Sequence, residues 1–429
     1  MDNALSPPFL VALNLTRRCN LNCAHCYLDA GTRESDNTGE LSTAEVLALL
    51  DDIAALSDET MVVFTGGEPL LRADLTELVA HASSLGLMAV LGSNGLGLND
   101  RRVAALKAAG LMGVGISLDS LDAARHDSFR GLSGSWTQAM AAFDACRRND
   151  LRFQIHFSVT DDNAHELDDM IVYARDVGAF VLNVFFLVCT GRGEKVTNIS
   201  ALTYERVMRR LTEASRQETE IMIRAKCAPH FKRMAWELDP DWPITAAHGY
   251  EAGGCLAGTR YCRITPLGAV TACPYMEEEV GSIRDRGFAE IWRDAPQFKA
   301  LRQPVLEGRC GACEYGKICG GCRARPFARD GELMGEDFLC AYEPQGGPVI
   351  EPLGAPFGDD MAALPWTPEA EAWLARIPSF VRRFVRQRAE GQVRANQGRE
   401  VTAEVMAELA LVARERFGGR PPFAGGAEQ

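Results

Sequence analysis

Three cysteines stand at C-x3-C-x2-C spacing in Cys19-Asn20-Leu21-Asn22-Cys23-Ala24-His25-Cys26-Tyr27, directly after an apolar run. Thiols this close along the chain are poorly placed for structural disulfides, but as thiolates they can converge on one metal centre. Three protein ligands leave a metal position open, and an open position is where a bound molecule can be activated. A second group follows at Cys255, Cys262, Cys273, Cys310, Cys313, Cys319, Cys322 and Cys340. Eight thiolates suffice for two four-thiolate centres. The C-x2-C pairs among them serve zinc ribbons and iron–sulfur clusters equally well, so the spacing leaves both open. Gly268, with Cys273 beyond it, reads as the turn of a hairpin that presents the cysteine at its tip. Cys146 lies in a helical pattern and reads as core. Cys189 and Cys227 are left over.

The elements that must position these residues alternate. An apolar strand at 9–15 delivers the first cysteine loop at its C-terminal end, and strand-like runs recur at 61–65, 87–92, 113–118, 153–160 and 180–187. Between them, segments such as 43–56 and 98–109 carry apolar residues at helical spacing. Strand and helix alternating six times predict parallel strands and an α/β architecture, a partial (β/α)6 barrel whose ligands gather at the C-terminal strand ends. In the fifth strand Gln154, His156, Ser158 and Thr160 share one face and Ile155, Phe157 and Val159 the other. A polar face opposite an apolar one suits a strand lining a wet cavity, where His156 either touches substrate or cofactor or is a satisfied structural histidine.

Composition narrows the partners. With 429 residues, 47% of them hydrophobic, the chain has material for a large core and smaller modules. A formal charge of −13 excludes binding to nucleic acid through a basic surface. The first ten residues lack a signal-peptide pattern, and no window has the roughly 18 apolar residues of a spanning helix, so a cytoplasmic protein is expected. Fourteen cysteines in a reducing compartment then point to metal ligation.

The cysteine loop with its trailing Tyr27, followed one βα unit later by Thr65-Gly66-Gly67-Glu68-Pro69, resembles the radical S-adenosylmethionine (radical SAM) enzymes. The resemblance implies a [4Fe–4S] cluster on Cys19, Cys23 and Cys26, with SAM at the open iron. It assigns Gly66, Gly67, Glu68 and Pro69 to the methionine amino group, and Ser93, Asn94, Ser117 and Asp119 to hydroxyl-binding strand ends. Arg130 falls to the methionine carboxylate, and the segment from Leu187 to Gly193 to the adenine. The downstream cysteines resemble the SPASM extension, which carries two auxiliary [4Fe–4S] clusters. That resemblance groups Cys255, Cys262, Cys273 and Cys322 in one and Cys310, Cys313, Cys319 and Cys340 in the other, three clusters in all. A ferredoxin or flavodoxin is the electron donor it implies.

The expected domains are the radical SAM partial barrel at 9–225, the auxiliary-cluster domain at 226–345, a Pro- and Gly-rich linker at 346–365 and three short helices at 366–418. The last segment, with its Thr367-Pro368 helix start and Arg382, Arg383, Arg386, Arg388 and Arg394, resembles the small C-terminal domain of light-independent protochlorophyllide reductase. It implies docking of a tetrapyrrole or electron-transfer partner, against the alternative of a solvated helix face. Residues 13–27, 261–275 and 311–325 resemble the subgroup that modifies tetrapyrrole side chains in haem d1 and alternative haem synthesis. A maturase of ribosomally made peptides is the second reading. About eight residues before the first strand leave no room for a peptide-recognition domain, which favours the tetrapyrrole. Tyr275 and His156 are the candidates for catalytic contact, and Arg323 and Arg325 either capture carboxylates or offset cluster charge.

Overall fold

A computed structural model of the chain describes all residues except 1–5, 32–37, 189, 196–198, 241, 243–253, 352–363, 378, 397 and 417–429. Cys189, most of the expected linker and the last residues of the expected helical domain therefore lie outside the described residues.

Among the described residues ten strands form one sheet in the order β10-β9-β8-β1-β2-β3-β4-β5-β6-β7. The expected six are present as β1 (Leu10–Asn14), β2 (Met61–Thr65), β3 (Met88–Ser93), β4 (Gly113–Ser117), β5 (Phe153–Val159) and β6 (Val181–Phe186), each parallel to the next. Two further parallel strands extend the row. β7 (Met222–Lys226) joins β6, and β8 (Tyr261–Ile264) returns to the far side of β1. β8 then folds back through β9 (Ala269–Thr271) and β10 (Gly281–Ser282) as antiparallel pairs.

β1 is buried along its whole length because it is hydrogen-bonded on both edges and covered on both faces. The helices Thr43–Leu56, Leu75–Ser84, Asp100–Ala108, Ser135–Arg148 and Leu167–Asp176 contribute to one continuous core with Val11, Leu13, Phe64, Ile116 and Phe157. Cys146 is in that core, as its helical pattern predicts. The opposite face of the sheet carries Asn14, Ser117, His156 and Asn183. The expected polar face of β5 is therefore real: Ser117, His156, Asn183 and Arg224 lie in one register row across β4 to β7.

The first helix shows why local sequence suffices for such elements. Ser42 and Glu45 form a reciprocal capping box, and Val46, Leu49, Leu50 and Ile53 supply the buried stripe. The expected hairpin is also present: Thr265 N–H donates to Ala269 at 2.8 Å, and Gly268 has a φ of +90°. Its geometry corrects one detail, since Cys273 lies beyond the end of β9 and not at the turn.

The C-terminal helices Pro368–Ala375, Ser379–Ala395 and Ala403–Arg416 close on a small core of Ala370, Leu374, Ala389, Val393, Val401 and Met406. Thr367 caps the first, with proline at its first position. Several arginines expected to dock a partner are engaged inside this bundle. Arg386 bonds Glu371 and stacks on Trp366, Arg382 donates to the carbonyls of Ala375 and Ile377, and Arg394 pairs with Glu390.

Replacing Phe64, fully buried at the centre of the sheet, by alanine should cost about 3–5 kcal/mol, whereas Ser42→Ala should cost about 1 kcal/mol. Denaturant midpoints of the two variants should fall in that order.

Candidate functional site

The cysteine loop leaves β1 and is tied down on three sides by backbone contacts. Cys19 N–H donates to Gly31 at 2.8 Å, and Gly67 and Glu68 N–H groups donate to Thr16 and Arg18 at 2.8 and 2.9 Å. A methyl group on Gly67 would lie 2.1 Å from the Arg18 carbonyl oxygen, and one on Gly66 2.7 Å from that of Thr16. The chain's own loop therefore requires both glycines. From the third side, Gly191 lies against the Cys26 carbonyl, while Arg192 donates to the carbonyls of Cys23 and Ala30 and pairs with Asp29. Sequence reasoning picked out the glycines of this segment but missed Arg192, which no spacing announces.

Donors converge on the sulfurs. The N–H groups of Leu21 and Ala30 point at Cys19 and Cys26, and Arg130 Nη1 reaches Cys23 Sγ at 3.7 Å. Such donors stabilise charge on thiolates and on the cluster they hold. Burial works the other way and pushes the Cys19 thiol up to about 11, so the metal must displace the proton. His25 stacks on Phe129 with ring centroids 4.4 Å apart and stays neutral, held down to about 3 by burial and Arg130.

The expected SAM-binding residues divide into two sets. Asn94 lies at the loop, donating to Asn20 at 2.7 Å, and Tyr27 accepts from Asn14 at 3.1 Å. Glu68, in contrast, is sealed in: it accepts from Leu70 N–H, Ser93 Oγ and Asn94 N–H, bracing the ends of β2 and β3. Pro69 continues from it into a single 3₁₀ turn. Asp119 accepts from Ser158 N–H and holds Arg130 at 2.5 Å. Ser117 stands beside His156 in the register row, and Leu187 is buried just past β6. The His156 ring lies over Gly115 and beside Phe185, and burial and Lys226 hold it neutral.

The second cysteine group forms two clusters of thiols. Cys310, Cys313, Cys319 and Cys340 line one pocket together with Gly316, Gly320 and Gly321, and Arg233 and Arg309 stand at its wall. The expected foursome is therefore together. In the other group Cys255, Cys273 and Cys322 fall within electrostatic reach of one another, but Cys262 does not join them. It is fully buried in the helix-covered core, because β8 alternates: Tyr261 turns toward Tyr27 and Cys273, while Cys262 and Ile264 turn the other way. Cys227, left over in the sequence, is the thiol that stands with the other three.

Arg325 and Arg323 serve these loops. Arg325 pairs with buried Asp337 at 2.8 Å and donates to the Cys227 carbonyl, and Arg323 donates to the carbonyls of Leu333 and Gly335 and to Cys310 Sγ. Tyr275 sits between the cysteine groups, its ring 5.6 Å from that of Tyr27.

These residues fit the groups that the sequence implies. Three free thiols on one loop, and four that line a single pocket, are the donor sets that iron–sulfur clusters take.

A parallel sheet with a three-cysteine loop at the C-terminal end of its first strand, and two four-thiol groups behind it, defines an iron–sulfur enzyme fold. Residues 13–174 match the model of the radical SAM superfamily, residues 255–322 an iron–sulfur cluster-binding domain, and residues 366–409 the proto-chlorophyllide reductase 57 kD subunit. The chain belongs to the radical SAM superfamily and is an enzyme that binds SAM and [4Fe–4S] clusters. It is 38% identical to the AdoMet-dependent heme synthase of Methanosarcina barkeri over 80% of this chain and 98% of that one. It is 32% identical to the pre-heme d1 synthase of Dinoroseobacter shibae (78% and 86%) and 32% identical to the mycofactocin maturase MftC of Mycobacterium ulcerans (81% and 92%). Streptococcus suis SuiB bound to its precursor peptide shares the fold, with a TM-score of 0.65 at 17% identity over 79% of this chain and 77% of that one. Among the described residues no helix is long and apolar enough to cross a membrane.

Burial raises the Glu68 carboxyl from 4.5 to about 7 against three hydrogen-bond donors. The folded chain therefore holds this proton more tightly than the unfolded chain does. Stability contributed by Glu68 should fall as pH rises from about 4.5 to about 7, by roughly 3 kcal/mol at most, and level off above. Urea denaturation of wild type and Glu68→Gln across that range should show this slope in the difference between the two, because glutamine does not titrate.

Proposed function

We propose that the enzyme moves a hydrogen atom from a propionate-type side chain of a tetrapyrrole to a 5′-deoxyadenosyl radical and passes one electron from the resulting substrate radical to auxiliary clusters, with CO2 or a proton leaving the side chain as its C=C bond forms. Cys19, Cys23 and Cys26 would hold a [4Fe–4S] cluster, whose chemistry when bound would be the reductive cleavage of SAM to methionine and a 5′-deoxyadenosyl radical. The observation that carries the substrate class is the 38% identity to a heme synthase across 98% of its length, against 32% to a peptide maturase.

The chain's own residues supply positioning. The inner face of the sheet is polar along Ser117, His156, Asn183 and Arg224, and Lys226 follows on β7 opposite Phe185. Two cations on that face suit a substrate carrying carboxylates. The resemblance assigns Asn94, Asp119 and Arg130 to SAM, and His156, neutral, can donate or accept a hydrogen bond without adding charge. Tyr275 faces the same side of the site, close to Tyr27 and the first auxiliary thiols. A ferredoxin or flavodoxin would supply the electron for cleavage. The match of the C-terminal helices to a protochlorophyllide reductase subunit supports a tetrapyrrole further.

Maturation of a peptide is the second reading, supported by the mycofactocin maturase relative. An iron–sulfur electron carrier or zinc-stabilised binding protein would have no use for the SAM-binding strand ends.

Incubation of the reconstituted enzyme with SAM and dithionite should yield 5′-deoxyadenosine, and Cys19→Ala should abolish it. Adding an iron tetrapyrrole with propionate side chains should raise that yield and alter the tetrapyrrole's mass, with Arg224→Gln raising the KM for it about tenfold. An unchanged tetrapyrrole beside a modified precursor peptide would transfer the assignment to the maturases.

A further inference from the structure

We infer that Cys227, at the exit of β7, is the fourth thiolate of the first auxiliary centre with Cys255, Cys273 and Cys322, and that Cys262 is a core residue with no part in it. This rests on the reading that the first group of auxiliary thiols holds a [4Fe–4S] cluster.

The placement of Cys262 follows from pairing. β8 lies in parallel register with β1, Cys262 opposite Val11 and Ile264 opposite Leu13. Val11 and Leu13 are on the face covered by helices, so Cys262 and Ile264 are too, and all four belong to the main core. Tyr261 and Arg263 take the other face, where Arg263 donates to Thr271 Oγ1 and to the Pro274 carbonyl. Bringing Cys262 to the thiols would require β8 to shift by one residue, which would turn Tyr261 and Arg263 into the apolar core. The charged group that reaches Cys262 is Arg302, from the helix Pro296–Arg302, and among the described residues no other cysteine does.

Cys227 is built the opposite way. β7 ends at Lys226, and Cys227 takes a φ of +57°, a left-handed conformation that few residues with a side chain adopt. Strain of this kind persists where surrounding contacts require it. Here the turn breaks the strand's alternation and takes Cys227 to Cys255, Cys273 and Cys322, each of which interacts electrostatically with it. Arg325 Nη2 fixes its carbonyl at 2.6 Å, and the Tyr275 hydroxyl hydrogen-bonds its sulfur. Arg325 also neighbours Cys322, so one buried guanidinium offsets charge at two of the four thiolates. Tyr27 feels both Cys26 and Cys273, and its ring meets Tyr275. The Tyr27–Tyr275 pair therefore stands between the SAM-binding cluster loop and this centre.

The test is an iron and sulfide count with EPR on the full-length chain, reconstituted anaerobically. Wild type should hold about twelve irons, Cys227→Ala about eight, and Cys262→Ala about twelve. The SAM-induced change in the EPR of the Cys19/Cys23/Cys26 cluster should persist in Cys227→Ala, which shows that the barrel is folded. Cys227→Ser, which offers an oxygen ligand of similar size, should retain iron but shift one auxiliary EPR signal. Twelve irons in Cys227→Ala, or an unshifted spectrum in Cys227→Ser, would overturn the ligand assignment alone. About eight irons in wild type would overturn it together with the first auxiliary cluster.

Discussion

The contact on which the rest depends is the one between Gly66-Gly67 and the backbone from Thr16 to Arg18. Two strands that are neighbours in the sheet leave their C-terminal ends side by side, and there the chain segments touch carbonyl to Cα with no room for a β-carbon. That contact converts the end of β1 from a loose loop into a fixed platform, with Glu68 locked behind it by Leu70, Ser93 and Asn94. A cluster held by three thiolates needs its sulfurs placed to within fractions of an ångström. The precision comes from backbone hydrogen bonds on a rigid sheet, which is why the glycines are spent on the loop itself.

Buried charge is arranged around the thiols in pairs. Asp119 holds Arg130, and Arg130 reaches Cys23; Asp337 holds Arg325, and Arg325 reaches the carbonyl of Cys227. Removing either member would leave an uncompensated charge in a low-dielectric interior. Each carboxylate fixes the direction of its guanidinium, and the guanidinium in turn faces a sulfur group that becomes anionic when it binds iron. The same device recurs at both thiol groups, although the two share no sequence motif.

Much of this was legible from residue order. Six strands, the helical pattern at 43–56 and the three-cysteine loop follow from apolar period and spacing, all of them local, and the foursome of Cys310, Cys313, Cys319 and Cys340 is what the SPASM resemblance implies. β7 was not, because Met222-Ile223-Arg224-Ala225-Lys226 alternates weakly and carries two cations that mask it as a strand. β8 was not, because nothing in Tyr261-Cys262-Arg263-Ile264 announces that it pairs with a strand some 250 residues earlier. The arginines at 323 and 325 had two readings from sequence, and their burial against Asp337, loop carbonyls and cysteine sulfur supports the offsetting of cluster charge over the capture of carboxylates.

By itself the sequence determined which chemistry the chain can house, since thiol spacing, glycines beside a carboxylate and strand–helix alternation are properties of neighbouring residues. Only the tertiary structure decided which thiol stands with which. Side chains on a strand alternate between faces, and the face that counts is set by a partner strand distant in the chain. Thus Cys262, close in sequence to Cys255 and Cys273, is turned into the core by its pairing with β1, while Cys227, more than twenty residues away, is brought in by a left-handed turn at the end of β7.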